Sequence, residues 1–424
     1  MNWTRRAFVR ALGLSAGATL LPASARGQSG KTGRVVVIGG GFGGATAAKY
    51  LRLWSPDIDV TLVERSPTFV SCPLSNRVLA GTATLTDLTR GYGDLSARHG
   101  VRVLQDEAVE IDPVKQAVRL GSGKSLSYDR LIVSPGVDLD YGSLPGMQRS
   151  GAQERVLHAW KAGPQTLALR RQLEAMPDGG VYVITVPRAP YRCPPGPYER
   201  VCQVAWYFKT NKPRSKVLVL DANDKVVSKE GLFKRVWEET YTGMVEYVPN
   251  AELVDVEVDT LTAKLQFDDV RADVLNVVPP MKAAAIAERT GLITANRKWC
   301  EVDFLTYESV AHRNIHVLGD ATLSAPLMPK SGHMANQHAK VCAAAVISLL
   351  HGSPVNDEPM LNNTCYSFVT GADVIHIASV HRFDAAQRTM VVVPGSGGLS
   401  VAPNELEGRY AEAWAQNIWA DMLG

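Results

Sequence analysis

The residues best suited to chemistry lie in two stretches that start alike and then diverge. Gly39-Gly40-Gly41-Phe42-Gly43-Gly44 follows an all-apolar run, Val35–Ile38, and sets glycines 39, 41 and 44 in G-x-G-x-x-G spacing. Val181–Tyr198, VYVITVPRAPYRCPPGPY, also begins with an apolar run, but then places Pro187, Pro190, Pro194, Pro195, Pro197 and Cys193. The first stretch can cradle a pyrophosphate. Gly39 makes the turn, Gly41 admits the phosphates close to the backbone, and Gly44 lets a helix pack on the strand. The second stretch cannot, because proline lacks the N–H groups that hold a phosphate. It offers a sulfur instead. Such a chain is expected to take electrons from a compound that reacts with sulfur rather than from a nicotinamide.

The flanking elements agree with the first reading. A helix is expected over Ala45–Leu53, a strand over Val60–Val63, and Glu64 follows about 20 residues after the last glycine, where an acid binds a ribose. Two later strands end in turns, Tyr128–Gly136 and Asn314–Ala321, the second closing on Gly319-Asp320. Both resemble elements of two-dinucleotide-domain flavoproteins, and the resemblance implies that Asp320 binds FAD. A helix expected from Ser331 to Leu350 would aim its positive end at the flavin, with Lys330 adding charge. Strand, helix and strand recur at Gly180–Val186, Tyr198–Lys209 and Lys216–Asp221. This second Rossmann-like unit has no glycine fingerprint.

The chain has 424 residues, enough for two or three domains, with 46% hydrophobic and 21% charged residues. Its formal charge of +3 is matched by Arg5, Arg6 and Arg10 alone, so the remainder is neutral and no nucleic-acid footprint is expected. Arg5 and Arg6 precede Phe8, and Arg10 precedes a short apolar run, Ala11–Leu21, then Pro22-Ala23-Ser24-Ala25. This pattern is that of a twin-arginine signal cut near Ala25, which sends a folded protein to the periplasm. Six cysteines, Cys72, Cys193, Cys202, Cys300, Cys342 and Cys365, would then meet an oxidising compartment. Cys202, Cys300 and Cys342 sit in apolar contexts and read as inert core. His312 and His316 fall on a strand, and C-x-x-C pairs are missing, so no metal site is expected and any haem belongs to another chain.

A closer resemblance rests on Tyr191–Arg200, Met328–His333, Ser71–Asn76, Asn363–Ser367 and the tail Tyr410–Ile418. Together with the signal and the fingerprint, these resemble the flavoprotein subunit of flavocytochrome c sulfide dehydrogenase, in the sulfide:quinone oxidoreductase superfamily. The resemblance implies an α/β fold of two Rossmann-like, glutathione-reductase-like domains and a smaller α+β C-terminal domain. The FAD domain would span 33–150 and 272–352, the second unit 151–271, and the flavin-covering unit 353–424. It also implies FAD bound covalently through Cys72, a redox disulfide between Cys193 and Cys365, Glu199 as acid/base, and Trp414 over the flavin site. Sulfide would open the disulfide and electrons would leave to a c-type cytochrome subunit. A helical stripe of Tyr410, Trp414, Ile418 and Trp419 reads as a protein-docking face, without integral membrane contact. Two alternatives stand: a membrane-associated sulfide:quinone oxidoreductase, and a non-catalytic flavoprotein partner of a sulfur-oxidation system. An NADH dehydrogenase is the least favoured reading.

Overall fold

Valine-rich apolar runs become parallel strands buried on both faces. The computed structural model describes residues 32–424, so the expected signal lies outside the described residues. From there the chain forms β1 (Gly33–Ile38), α1 (Phe42–Trp54), β2 (Ile58–Glu64), β3 (Arg102–Gln105) and β4 (Arg130–Val133). A second unit follows as β5 (Val181–Val186), α2 (Gly196–Asn211), β6 (Lys216–Asp221), α3 (Glu230–Glu239), β7 (Val245–Val248) and β8 (Val274–Val277). The chain returns through β9 (Ile315–Val317) and α4 (Gly332–His351). It ends in β10 (Met360–Phe368), β11 (Val374–Asp384), β12 (Thr389–Val392) and α5 (Glu405–Leu423).

The first sheet runs β9-β4-β1-β2-β3 and is parallel throughout. The second runs β7-β6-β5-β8, also parallel, with Val181 opposite Lys216. Open parallel sheets bind ligands beyond the carboxyl ends of their strands. Here those ends carry the glycine loop, Glu64, Gly319-Asp320 and the proline–cysteine loop. The third sheet is antiparallel and sets Cys365 of β10 opposite Ile377 of β11.

Two sequence expectations need correction. Strand β8 pairs with β5, Tyr182 opposite Val274, so the second unit runs to Val277 and not to 271. Its apolar run suits either sheet, and pattern alone does not choose between them. The stripe on α5 is also largely spent within the chain. Ile418 and Trp419 join the core of the first domain, Arg90 stacks on Trp419 at 4.1 Å, and Lys340 pairs with Asp421 at 2.9 Å. Of the four, Tyr410 is the one exposed, at 51%. Helical periodicity names the buried face but not what buries it.

The second unit keeps its strands and closes its own ligand position. Asp221, fully buried at the end of β6, accepts from Tyr198 Oη at 2.7 Å, Tyr247 Oη at 3.0 Å, and Asn223 N and Nδ2 at 2.9 and 2.7 Å. Four donors leave little acceptor capacity for a ribose. At the start of α2 the Gly196 N–H donates to Cys193 O at 2.8 Å, and the Glu199 N–H to Pro195 O at 3.0 Å. Pro197 has no N–H. Replacing Asp221 by Ala strands these donors, and the unfolding free energy is expected to fall by about 2–4 kcal/mol in urea denaturation. A loss under about 0.5 kcal/mol would show that the carboxylate is not the hub of this unit.

Candidate functional site

The loops at the strand ends open into one cavity of about 470 Å3, a size suited to a cofactor-class ligand. Gly39, Gly41, Glu64, Cys72, Asp320, Cys193, Glu199, Cys365 and Trp414 all line it. Glu64 is aimed by its own hydrogen bonds, accepting from Gly40 N at 2.7 Å and Ser66 N at 2.8 Å. The glycines divide their work. A Cβ on Gly44 would sit 1.8 Å from Gly39 O, whereas a Cβ on Gly41 would meet nothing within 4 Å. Gly44 is thus required by helix–strand packing, and Gly41 leaves open space for a ligand.

Asp320 is the strongest sign of what that ligand presents. Its Oδ1 is buried with no hydrogen-bond partner, and burial pushes its carboxyl above the usual range, against the pull of Arg192 and Lys330. A buried acceptor without a donor is costly unless a ligand hydroxyl supplies one. Asp320 is not a helix cap; Ser331 caps α4, its Oγ accepting from Met334 N at 3.0 Å. Gly332 and His333 of that first turn face the same cavity. The open Gly41 loop, Glu64, the unpaired Asp320 oxygen and this helix end fit a flavin adenine dinucleotide. Lys330, expected to add charge at the flavin, does not line the cavity. Its Nζ donates to Asp320 O at 3.0 Å and to Thr322 O, and it lies 3.7 Å from the Trp299 ring centroid. The lysine braces the Asp320 turn from behind.

Cys72 is half-buried, and its Sγ accepts from Ala162 N at 3.5 Å. The other two cysteines arrive from different domains. Cys193 has φ +59°, a left-handed conformation that costs a non-glycine residue about 1–2 kcal/mol. The loop offsets this with bonds from Cys193 N to Lys330 O at 2.8 Å and from Tyr191 Oη to Pro194 O at 3.2 Å. A Cβ on Gly196 would approach Cys193 Sγ to 2.9 Å, so only glycine fits there. Cys365 sits mid-strand in β10, where Asn363 Nδ2 donates to its Sγ at 3.4 Å. Both sulfurs are free in this structure.

Burial dominates the electrostatics. It drives the Cys193 thiol far above its ordinary value, helped by the charges of Cys365 and Glu199, and it raises the Cys365 thiol against Lys229 and Asn363. Glu199 is raised by burial too, although Phe368 N at 3.0 Å and Asn76 Nδ2 at 2.9 Å both donate to it. Two sulfurs, a carboxyl whose pKa burial raises and a dinucleotide cradle therefore share one cavity.

Three family profiles match successive parts of the chain. Residues 33–174 match pyridine nucleotide-disulphide oxidoreductases. Residues 166–279 match the central part of the sulfide dehydrogenase [flavocytochrome c] flavoprotein chain, and 357–423 the flavin-binding part of flavocytochrome c sulphide dehydrogenase. A sulfide dehydrogenase [flavocytochrome c] flavoprotein chain from Chlorobaculum thiosulfatiphilum is 66% identical over 47 residues, 98% of its length and 11% of this chain. The chain belongs to the flavocytochrome c sulfide dehydrogenase flavoprotein family. That family shares a superfamily of sulfide-oxidising flavoproteins with the sulfide:quinone oxidoreductases. The mitochondrial sulfide:quinone oxidoreductase of Mus musculus is 26% identical over 306 residues, 68% of this chain and 65% of the mouse protein. The sulfide:quinone oxidoreductase structure from Aquifex aeolicus superposes with a TM-score of 0.74 at 21% identity, covering 92% of this chain and 91% of that one, and shows the same fold.

Sequence reasoning missed Lys229, Asn363 and His333. Lys229 is a lone lysine in Val226-Val227-Ser228-Lys229-Glu230, and nothing local marks it as buried. Asn363, Cys365 and Ser367 alternate on a strand, a pattern that could have placed them on one face. His333 lines the cavity, and burial holds its imidazole down to about 4. Its Nδ1 accepts from Thr364 N at 3.0 Å, which leaves the proton of the neutral ring on Nε2. Cys202, Cys300 and Cys342 are fully buried.

The two glycines give a paired prediction for this flavoprotein. Gly41→Ala is expected to fold with unchanged apoprotein stability but to retain little flavin on gel filtration. Gly44→Ala is expected to lower the thermal midpoint of the apoprotein itself. Equal behaviour of the two variants would contradict the division of roles.

Proposed function

We propose that this protein is the flavoprotein subunit of an exported sulfide dehydrogenase, oxidising hydrogen sulfide at Cys193 and Cys365 and passing electrons to a c-type cytochrome. The observation that carries the reading is that these two cysteines and Glu199 line the cavity that holds the unpaired Asp320 oxygen. In the oxidised protein the cysteines form a disulfide. Hydrosulfide, a soft anion, attacks one sulfur, giving a persulfide on that cysteine and a thiolate on the other. A second sulfide releases the sulfur, and the pair closes again once two electrons have left. FAD, when bound, takes that electron pair and hands it on singly.

Glu199 sits six positions beyond Cys193 on α2 and takes the proton of hydrogen sulfide or of a thiol. Burial raises its pKa above the ordinary carboxylate value, which makes the carboxylate a stronger base. Closure of the second nucleotide position by Tyr198, Tyr247 and Asn223 speaks against a nicotinamide donor. The cytochrome reading is favoured over quinone because α5, the last helix, is packed into the protein's own core. No helix of the described residues is long and apolar enough to cross a membrane. Cys72, held by the Ala162 amide at the cavity wall, is the attachment point for covalent FAD.

Sulfide-dependent reduction of a c-type cytochrome, run beside a short-chain quinone, tests the reading. The cytochrome is expected to be reduced faster, and Cys193→Ser or Cys365→Ser to lose the activity; full activity in either variant would sink the disulfide chemistry. A base must be ionised, so the rate is expected to fall as pH drops through the raised Glu199 pKa. Glu199→Gln should lose that acid limb and about a hundredfold in rate. Acid precipitation addresses the tether. The wild-type pellet is expected to stay yellow and the Cys72→Ser pellet to be colourless, whereas a colourless wild-type pellet excludes a covalent bond.

A further inference from the structure

Two cations are buried beside the cysteine pair, and neither touches a carboxylate. Arg200 gives its guanidinium to neutral acceptors: Asn76 Oδ1 at 3.0 Å, Asn276 Oδ1 at 2.9 Å, and the carbonyls of His158 and Ala159 at 2.7 and 2.6 Å. Lys229, just before α3, has φ +56°, and its Nζ donates to Cys365 O at 2.9 Å, Ser367 Oγ at 2.8 Å and Ile375 O at 3.1 Å. Glu199, a carboxyl whose charge acts on both, already accepts from Asn76 and Phe368. A buried ammonium with only neutral partners is unfavourable unless a negative charge forms beside it.

Strand geometry says where that charge forms. Cys365 and Ser367 are two apart on β10, so their side chains share a face. The Nζ that touches Ser367 Oγ lies on that face. Asn363 shares it as well, with its amide on Cys365 Sγ.

We propose that Lys229 is a positioning residue of the cysteine pair: its ammonium, fixed on the Cys365 face of β10, stabilises the sulfur anion that Cys365 carries when the pair is open. The purpose of that anion rests on the sulfide-oxidation reading above, but its stabilisation can be measured on the thiols alone. The charged and titratable groups facing Lys229 are Cys365 from β10, Glu199 from α2, Cys193 from the loop before it, and Glu407 from α5. Facing Cys365 are Lys229, Glu199 and Cys193, with Asn363 and Ser331 as neutral partners. Burial brings the Lys229 ammonium down to about 8, with Cys365 and Glu199 pulling the other way. It is charged at neutral pH and loses its proton just above.

The test uses the flavin-loaded protein, reduced with dithiothreitol and labelled with iodoacetamide, a neutral reagent that a lysine does not attract. Labelling of the Cys365 peptide is followed by mass spectrometry across pH. At neutral pH, Lys229→Met is expected to label about tenfold more slowly than wild type. The gap should close above about pH 8, where wild type loses the same charge. A folded, flavin-bearing Lys229→Met that labels at the wild-type rate overturns the proposal. If that variant does not fold, wild type decides. Its log rate is expected to climb by less than one unit per pH unit just above pH 8, because each proton lost from Lys229 makes the thiol harder to ionise. A straight unit slope there overturns the proposal too. Neither readout involves sulfide or cytochrome, so failure here is separable from failure of the sulfide reading.

Discussion

The bond from the Cys193 amide to the Lys330 carbonyl, 2.8 Å long, ties the second domain to the first at the site of the proposed chemistry. Lys330 is a strap with two ends. Its side chain holds the Asp320 carbonyl, and its own carbonyl holds the cysteine loop. Moving either end would shift a sulfur relative to the flavin cradle. A proton or electron transfer that depends on near contact does not tolerate such slack. The left-handed conformation of Cys193, the tight approach of Gly196 and the proline-rich lead-in all serve that placement.

Burial supplies the second constraint. The Cys193 and Cys365 thiols and Glu199 are pushed toward their neutral forms, while two buried cations wait without carboxylate contacts. Burial disfavours any lone charge, yet the fixed dipoles and cations favour an anion on sulfur. A site arranged in this way lets negative charge appear at one place and discourages it elsewhere. The degenerate second domain fits the same logic. Its sheet survives because β5 and α2 must hold Cys193 and Glu199, and its acid, Asp221, has become an internal strut.

How much of this was legible in the sequence depended on the range of the interaction. The glycine loop, Glu64 and α4 could be read because turn, dipole and packing requirements are local. The role of Cys193 could be suspected from the missing glycines, and its pairing with Cys365 came from resemblance to a family, since spacing says nothing about which distant cysteines meet. Lys229 was invisible because its burial is decided by where β10 and β11 settle over α3. The docking face read on Tyr410–Trp419 and the boundary at 271 went astray for a shared reason. An apolar pattern announces that a face is buried and leaves its partner unnamed. Lys330 was read as a charge at the flavin; the fold sets its Nζ behind the Asp320 turn and its carbonyl on the cysteine loop.

The proposed sulfide chemistry requires Cys193 and Cys365 to act as one redox pair. Peptide mapping of the air-oxidised protein under non-reducing conditions, with free thiols blocked beforehand, tests it most directly. The account predicts a linked pair of peptides containing Cys193 and Cys365, which one equivalent of sulfide per flavin opens with the mass of an added sulfur on one of them. Recovery of both cysteines as blocked free thiols from the oxidised protein would contradict it.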